Sequence, residues 1–191
     1  DVLSGAVEVG ERVAIIGAGG IGHDVATFLA EPRPSQAEDP ERFAAAWGIA
    51  VDAWVAGGEA PRGGLTDKAH GAPLRQITLC QRSTGKLGAG LGKTTGWIHR
   101  KELDHLGVEK LAGVSYERIS DEGLHLTVDG EARVIPADHV VICAGQLSEA
   151  SLSAPLAARG VEVHVIGGAD EARELDAKRA IDQGTRVAAA L

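Results

Sequence analysis

The run Arg12-Val13-Ala14-Ile15-Ile16-Gly17-Ala18-Gly19-Gly20-Ile21-Gly22 constrains this chain more than any other segment. Residues 13–16 are apolar and largely β-branched, which predicts a short buried parallel strand. Gly17, Gly19 and Gly22 then follow at G-x-G-x-x-G spacing. The first glycine permits a sharp turn, the second lets a pyrophosphate approach the backbone, and the third lets helix and strand pack closely. Residues 21–30 read as the helix whose N-terminal amides face that pyrophosphate. Gly17, Ala18, Gly19, Gly20, Ile21 and Gly22 are therefore the candidate dinucleotide turn. The competing reading is a glycine-rich turn with a packing role alone.

With 191 residues the chain can build one domain with a sizeable core, or one domain and part of another. A net charge of −8 argues against nucleic acid or an anionic membrane surface as partner. No apolar run approaches the roughly 20 residues that span a bilayer. Cys80 and Cys143 both fall in predicted strands and read as small core residues in a reducing, cytoplasmic setting. The chain has no methionine, and residues 1–11 read as a linker entering a strand. Both features lead us to expect a piece of a larger polypeptide, with catalytic residues outside it.

After the first β-α unit the pattern breaks. Residues 31–73 carry Pro32, Pro34, Pro40, Pro61 and Pro73 and read as an insertion. Within it, 40–47 predicts a short helix with Phe43 and Trp47 on one face, and 57–71 is loop-like. The second strand is expected over 76–81, a glycine-rich loop over 87–92, a helix from 93 to about 106 and a third strand over 108–111. Short strands follow at 114–119, 124–128 and 132–135, the last two joined by the hairpin signal Asp129-Gly130. A further apolar strand covers 139–143. The tail reads as a separate β-α element, a strand over 161–166 and a helix over 170–191. The expected fold class is α/β: a Rossmann-like three-layer dinucleotide-binding domain with an antiparallel β-meander, plus that C-terminal β-α piece.

Cofactor choice is decided at the end of the second strand, where an acid favours NAD and a cation accommodates the 2′-phosphate of NADP. This chain places Arg82 there, with Lys86 close behind, and no acid. The planar guanidinium fork suits a phosphate, although a solvated surface charge describes most arginines. Lys93 and Thr94, with Thr95, stand at the expected helix start. They either contact a phosphate or the nicotinamide half, or cap the helix. The loop lacks P-loop spacing, because Leu87 and not glycine lies five residues before Gly92. His99 and His105 are six apart on one helix and point apart, and His23 in the first turn reads as exposed or packed. No C-x-x-C, H-x-x-x-H or G-x-S-x-G pattern supports metal or serine-hydrolase chemistry.

Several stretches occur in a familiar order: the glycine turn; Leu79-Cys80-Gln81-Arg82; Gly90-Leu91-Gly92-Lys93-Thr94-Thr95-Gly96-Trp97-Ile98-His99-Arg100; and Val140-Val141-Ile142-Cys143-Ala144-Gly145-Gln146. Near the end stand His164-Val165-Ile166-Gly167-Gly168 and Glu174-Leu175-Asp176-Ala177-Lys178-Arg179-Ala180-Ile181. Together they closely resemble the C-terminal part of NADPH-dependent 2,4-dienoyl-CoA reductases, the iron–sulfur flavoenzymes of the old-yellow-enzyme-like group, over nearly the whole chain.

That resemblance implies an electron path in which NADPH reduces FAD. Electrons then cross a 4Fe-4S cluster to FMN, which reduces an unsaturated fatty acyl-CoA of β-oxidation. The FMN, the cluster and the substrate would belong to an upstream barrel domain, and a first FAD-binding fingerprint would also lie upstream. Residues 12–145 would be the NADPH-binding domain, and 146–191 the returning segment of the FAD-binding domain. Ala144, Gly145, Gly167 and Gly168 would face cofactor, completing only part of an FAD site. Related flavoproteins place an acid where this chain has Gly168, with Asp170 two residues on. His23 also departs from the family, which has an apolar aromatic residue there. The implied role in this chain is positioning, with no catalytic residue. Two other readings are a related flavin oxidoreductase acting on an enone or amine, and a free-standing NADP(H)-binding sensor.

Overall fold

The computed structural model describes residues 1–51, 64–172 and 177–191. Part of the expected 57–71 loop, and Glu174, Leu175 and Asp176 of the last familiar stretch, lie outside the described residues. The chain divides into two compact units, Asp1–Ala144 and Gly145–Leu191. Among the described residues no helix is long and apolar enough to cross a membrane.

The first unit is built on a parallel sheet of β1 (Arg12–Ile16), β2 (Gln76–Cys80), β3 (Glu109–Leu111) and β7 (His139–Ile142), in the order β3-β2-β1-β7. Alternation along β1 explains its place. Val13 and Ile15 point to one face and Ala14 to the other, and all three are buried, as a central strand covered on both sides requires. On the first face the sheet packs against α1 (Gly20–Ala30) and α3 (Gly96–His105) through Val25, Ala26, Leu29, Ile77, Leu79 and Leu103. On the second face Ala14 and Cys80 meet Leu124, Leu126 and Ile135 of an antiparallel meander. That meander is β4 (Ser115–Ser120), β5 (Gly123–Val128) and β6 (Glu131–Pro136), in the order β4-β5-β6. Helices, parallel sheet and meander form three layers with one core on each side of the sheet, as expected from the sequence. The β5–β6 turn has φ of 53° at Asp129 and 82° at Gly130, as a two-residue hairpin turn demands.

The insertion is closed at its neck, where the Leu74 amide donates to the Ala30 carbonyl at 2.9 Å. Inside it, α2 (Pro40–Trp47) starts on Asp39, whose carboxylate accepts from the Glu41 and Arg42 amides, and stops at Gly48 in the left-handed region. Phe43 and Trp47 pack with ring centroids 6.2 Å apart. Trp47 meets His105 of α3 edge-on at 5.6 Å, and Gln36 donates to Glu102 at 2.8 Å, so the insertion rests on α3.

The second unit contains α4 (Ser153–Ala157), a 3₁₀ turn at Gly167–Ala169 and α5 (Ala177–Ala190). Two expectations are corrected here. Residues 161–166 form no strand, because they have no partner to make ladder bonds with among the described residues. The described helix begins at Ala177 and not at Asp170. Gly184 within α5 is explained by close approach: a Cβ there would lie 3.3 Å from the Ile166 side chain. A third correction concerns Cys143, which lies one residue past β7. Its amide still donates to Ile16 at 2.7 Å, but β1 turns away at Gly17 and the ladder ends.

Leu79 is fully buried at the centre of β2 against α1. Truncating Leu79→Ala should cost about 2–5 kcal/mol, through lost transfer energy and the cavity left behind. Denaturant unfolding of the variant checks this, with a shifted midpoint and an unchanged slope expected.

Candidate functional site

β1 leads to β2 on one side and, after the whole meander, pairs with β7 on the other. The sheet order therefore reverses beside β1, and the C-terminal ends of β1 and β7 form the switch point that is the usual ligand position in such sheets. The glycine turn occupies that end. Its amide at Gly17 donates to Cys80 at 2.9 Å.

Two of the three glycines are required by the protein itself. Gly17 has φ of +107°, and a Cβ there would stand 2.5 Å from the Cys143 carbonyl oxygen. A Cβ on Gly22 would lie 1.9 Å from the Gly17 carbonyl oxygen, so nothing larger fits where α1 crosses its own strand. Gly19 is different. Its backbone is extended (φ −78°, ψ −169°), it is exposed, and nothing lies within 4 Å of an added Cβ. Packing does not explain a glycine there, whereas a ligand approaching the backbone does. Gly20 is equally open, and Ile21 beside it is half exposed. Ala18 is buried under the turn. Helix α1 has no side-chain cap and no acid in its first turn, so its leading amides and positive dipole end remain available to an anion.

His23 is buried, with Nδ1 3.0 Å from the Gly19 carbonyl oxygen. Its Nε2 is buried without a partner among the described residues and faces Gly88, where an added Cβ would lie 2.7 Å away. Arg100 of α3 donates to the Gly88 carbonyl at 2.8 Å. His23, Gly88 and Arg100 thus lock the glycine turn to the second glycine loop. The sequence flagged His23 as packed or exposed, and the structure shows it packed. The link through Gly88 was not legible, because its only signal is a glycine among several.

Arg82 follows β2, beside the turn that follows β1, and is exposed with no ion pair among the described residues. The loop that carries it is braced: the Gln81 side chain donates to the Ser83 and Gly85 carbonyls, and the Gly113 amide donates to Ser83. Lys86 is exposed and lines a cleft with α3. Lys93 and Thr94 are exposed in a turn and are not the start of a helix. The helix begins at Gly96, whose amide donates to Gly92 at 2.7 Å, and Thr95 makes no side-chain cap. Ala144 ends the first unit. Gly145, Gly167, Gly168 and Asp170 belong to the second, where the Gly167 amide donates to Gln183 at 2.6 Å and Gln183 donates to Asp170 at 2.9 Å. Neither cysteine is poised to react: both thiols are free, and burial pushes Cys80 up to about 12 and Cys143 upward as well.

A glycine-turn sheet with open helix amides at its switch point defines a Rossmann-type nucleotide-binding domain. The chain belongs to the pyridine nucleotide-disulphide oxidoreductase family, whose sequence profile matches residues 3–179. It is a module of the NAD(P)H- and FAD-dependent oxidoreductase type. A curated relative, a metal reductase of Desulforamulus reducens, is 25% identical over 175 residues, which is 92% of this chain and 24% of that protein. Among solved structures, a 2-naphthoyl-CoA reductase is similar with a TM-score of 0.64 and 20% identity, over 96% of this chain and 22% of that one. The 6-hydroxypseudooxynicotine amine oxidase of Pseudomonas geniculata N1 also gives a TM-score of 0.64, at 19% identity, over 97% of this chain and 23% of that one. The chain thus spans about a quarter of the length of the proteins it matches. At these identities the structural likeness shows the fold alone.

The family match corrects the resemblance to 2,4-dienoyl-CoA reductases. What is shown is a pyridine-nucleotide and FAD oxidoreductase module, not an old-yellow-enzyme-like iron–sulfur flavoenzyme. Among the described residues no group of three or more His, Cys, Asp or Glu side chains could hold a metal ion.

Burial holds the His23 imidazole below its ordinary pKa, while the unfolded chain leaves it free to protonate. A lowered folded value means that stability is fully present above about pH 6.5 and falls as pH drops through that value. His23→Phe should flatten this part of the stability profile. Denaturation midpoints measured from pH 7.5 to 5 check it, and parallel curves for the two proteins would refute the role.

Proposed function

We propose that this chain holds NADPH at the Gly17–Gly22 turn and presents its nicotinamide to FAD. The observation that carries the reading is the unexplained clearance over Gly19, between two glycines whose absence of side chain the fold does explain. Bound NADPH supplies the hydride, from nicotinamide C4 to flavin N5. Every remaining task is one of binding and orientation.

The α1 amides around Gly20, Ile21 and Gly22 receive the pyrophosphate, and Gly19 keeps the approach open. Arg82, exposed and without a carboxylate partner among the described residues, meets the charge of the 2′-phosphate, with Lys86 adding to the local field. Lys93 and Thr94 are the candidates for contacts beyond the second glycine loop. Ala144 continues the C-terminal edge of β7 beside the turn. For FAD, Gly145, Gly167, Gly168 and Asp170 are the proposed contributors. The Gln183 contacts leave Gly167 with its amide already engaged, so Gly168 and the backbone after it would carry more of that contact. No side chain is assigned an acid–base role.

Calorimetric titration with NADPH and NADH tests the reading. NADPH is expected to bind at least tenfold more tightly, and Arg82→Ala should remove most of that preference. Gly19→Val provides the sharper test. Its backbone angles suit valine and its surroundings are empty, so the melting temperature should hold while dinucleotide affinity falls at least tenfold. Unchanged affinity in Gly19→Val would refute a cofactor at this turn.

A further inference from the structure

A cleft of about 850 Å³ lies beside the β2–α3 loop, within the roughly 300–1,000 Å³ of small-molecule sites. Its walls come from four segments: the insertion (Trp47, Lys68), the loop after β2 (Lys86, Leu87), one face of α3 (Trp97, Lys101) and β3 with the residue after it. In a chain of net charge −8, five of its lining residues are cations, Lys68, Lys86, Arg100, Lys101 and Lys110, against the single acid Asp104. Asp104 is already committed to Lys110, and its carboxyl is held below the usual range by that contact. Arg100 is spent on the Gly88 carbonyl. Lys68, Lys86 and Lys101 form no ion pair among the described residues.

The positive field is felt locally. Burial holds the His70 and His105 imidazoles below their ordinary pKa, and Lys68 and Lys101 lower both further, behind His70 in the case of His105. Like charges sharing one cleft repel, and an anion entering it removes that repulsion. Aromatic surface is available too. Trp97 is 56% exposed at the start of α3, an unusual position for an indole, and Lys68 sits 5.9 Å from the centre of the Trp47 ring.

We propose that this cleft is a phosphomonoester site for a nucleoside, with Lys68, Lys86 and Lys101 holding the phosphate and Trp97 offering a stacking face to the base. The site stands on its own lining. Neither Arg82 nor any residue of the Gly17–Gly22 turn lines it, so its ligand is a separate mononucleotide and not the 2′-phosphate end of the dinucleotide.

Adenosine 2′,5′-bisphosphate, adenosine and inorganic phosphate are titrated into the full chain, followed by tryptophan fluorescence and calorimetry. The bisphosphate should bind at least tenfold more tightly than adenosine, and less tightly as KCl is raised. The double variant Lys68→Gln/Lys101→Gln changes two exposed side chains, so its circular dichroism should match the parent while bisphosphate affinity drops at least tenfold. Displacement of the bisphosphate by NADPH places it at the glycine turn and overturns the site. Simultaneous binding of both supports it with a separate nucleotide. Equal affinity for adenosine and the bisphosphate, or unchanged affinity in the double variant, overturns the proposal. Because Gly19→Val reports on the glycine turn alone, failure there leaves this site standing, and failure here leaves that reading standing.

Discussion

The contact on which the first unit depends is the near-touch between Gly22 and the Gly17 carbonyl oxygen, where a single added carbon would stand 1.9 Å away. It sets how steeply α1 leaves β1, and so how closely Val25, Ala26 and Leu29 lie on Ile77 and Leu79. The same geometry aims the first amides of α1 at the switch point between β1 and β7. One steric constraint thus serves both packing and binding. Substitutions at Gly22 damage both together, whereas Gly19 concerns binding alone.

The second glycine loop is held by a chain of polar contacts that runs through a buried histidine. His23 gives one ring nitrogen to Gly19 and turns the other, unpartnered, toward Gly88. A buried nitrogen without a partner costs free energy, on the order of 1–3 kcal/mol. The fold accepts that cost at the point where two glycine-rich segments meet, and Arg100 closes the far side of the contact. Such a joint couples the position of the 87–92 loop to the position of the turn.

Much of this was legible in the residues because the signals were periodic or steric. A short, continuous apolar run identified β1, and Asp129-Gly130 announced the hairpin of the meander. Asp39 and Gly48 bracket the short helix whose Phe43–Trp47 face was readable from spacing. The failures share a cause. Residues 161–166 have strand composition, but a strand needs a neighbour that composition cannot supply. Lys93 and Thr94 precede a helix by sequence, yet Gly96 is where the backbone bonds begin. The resemblance to one reductase family failed because local stretches around a cofactor turn are shared by proteins with different chemistry. The cationic cleft was invisible because Lys68, Lys86 and Lys101 come from three separate segments.

The closed neck of the insertion has a consequence for the cleft. Since Leu74 bonds back to Ala30, the 31–73 excursion begins and ends at nearly one place on the domain, and its length and sequence are decoupled from the sheet register. Yet this appendage supplies Trp47 and Lys68 to a cleft whose other walls are the loop after β2, α3 and β3. Substitution, lengthening or shortening within the appendage therefore alters that cleft while the pairing of β1 with β2 stays as it is.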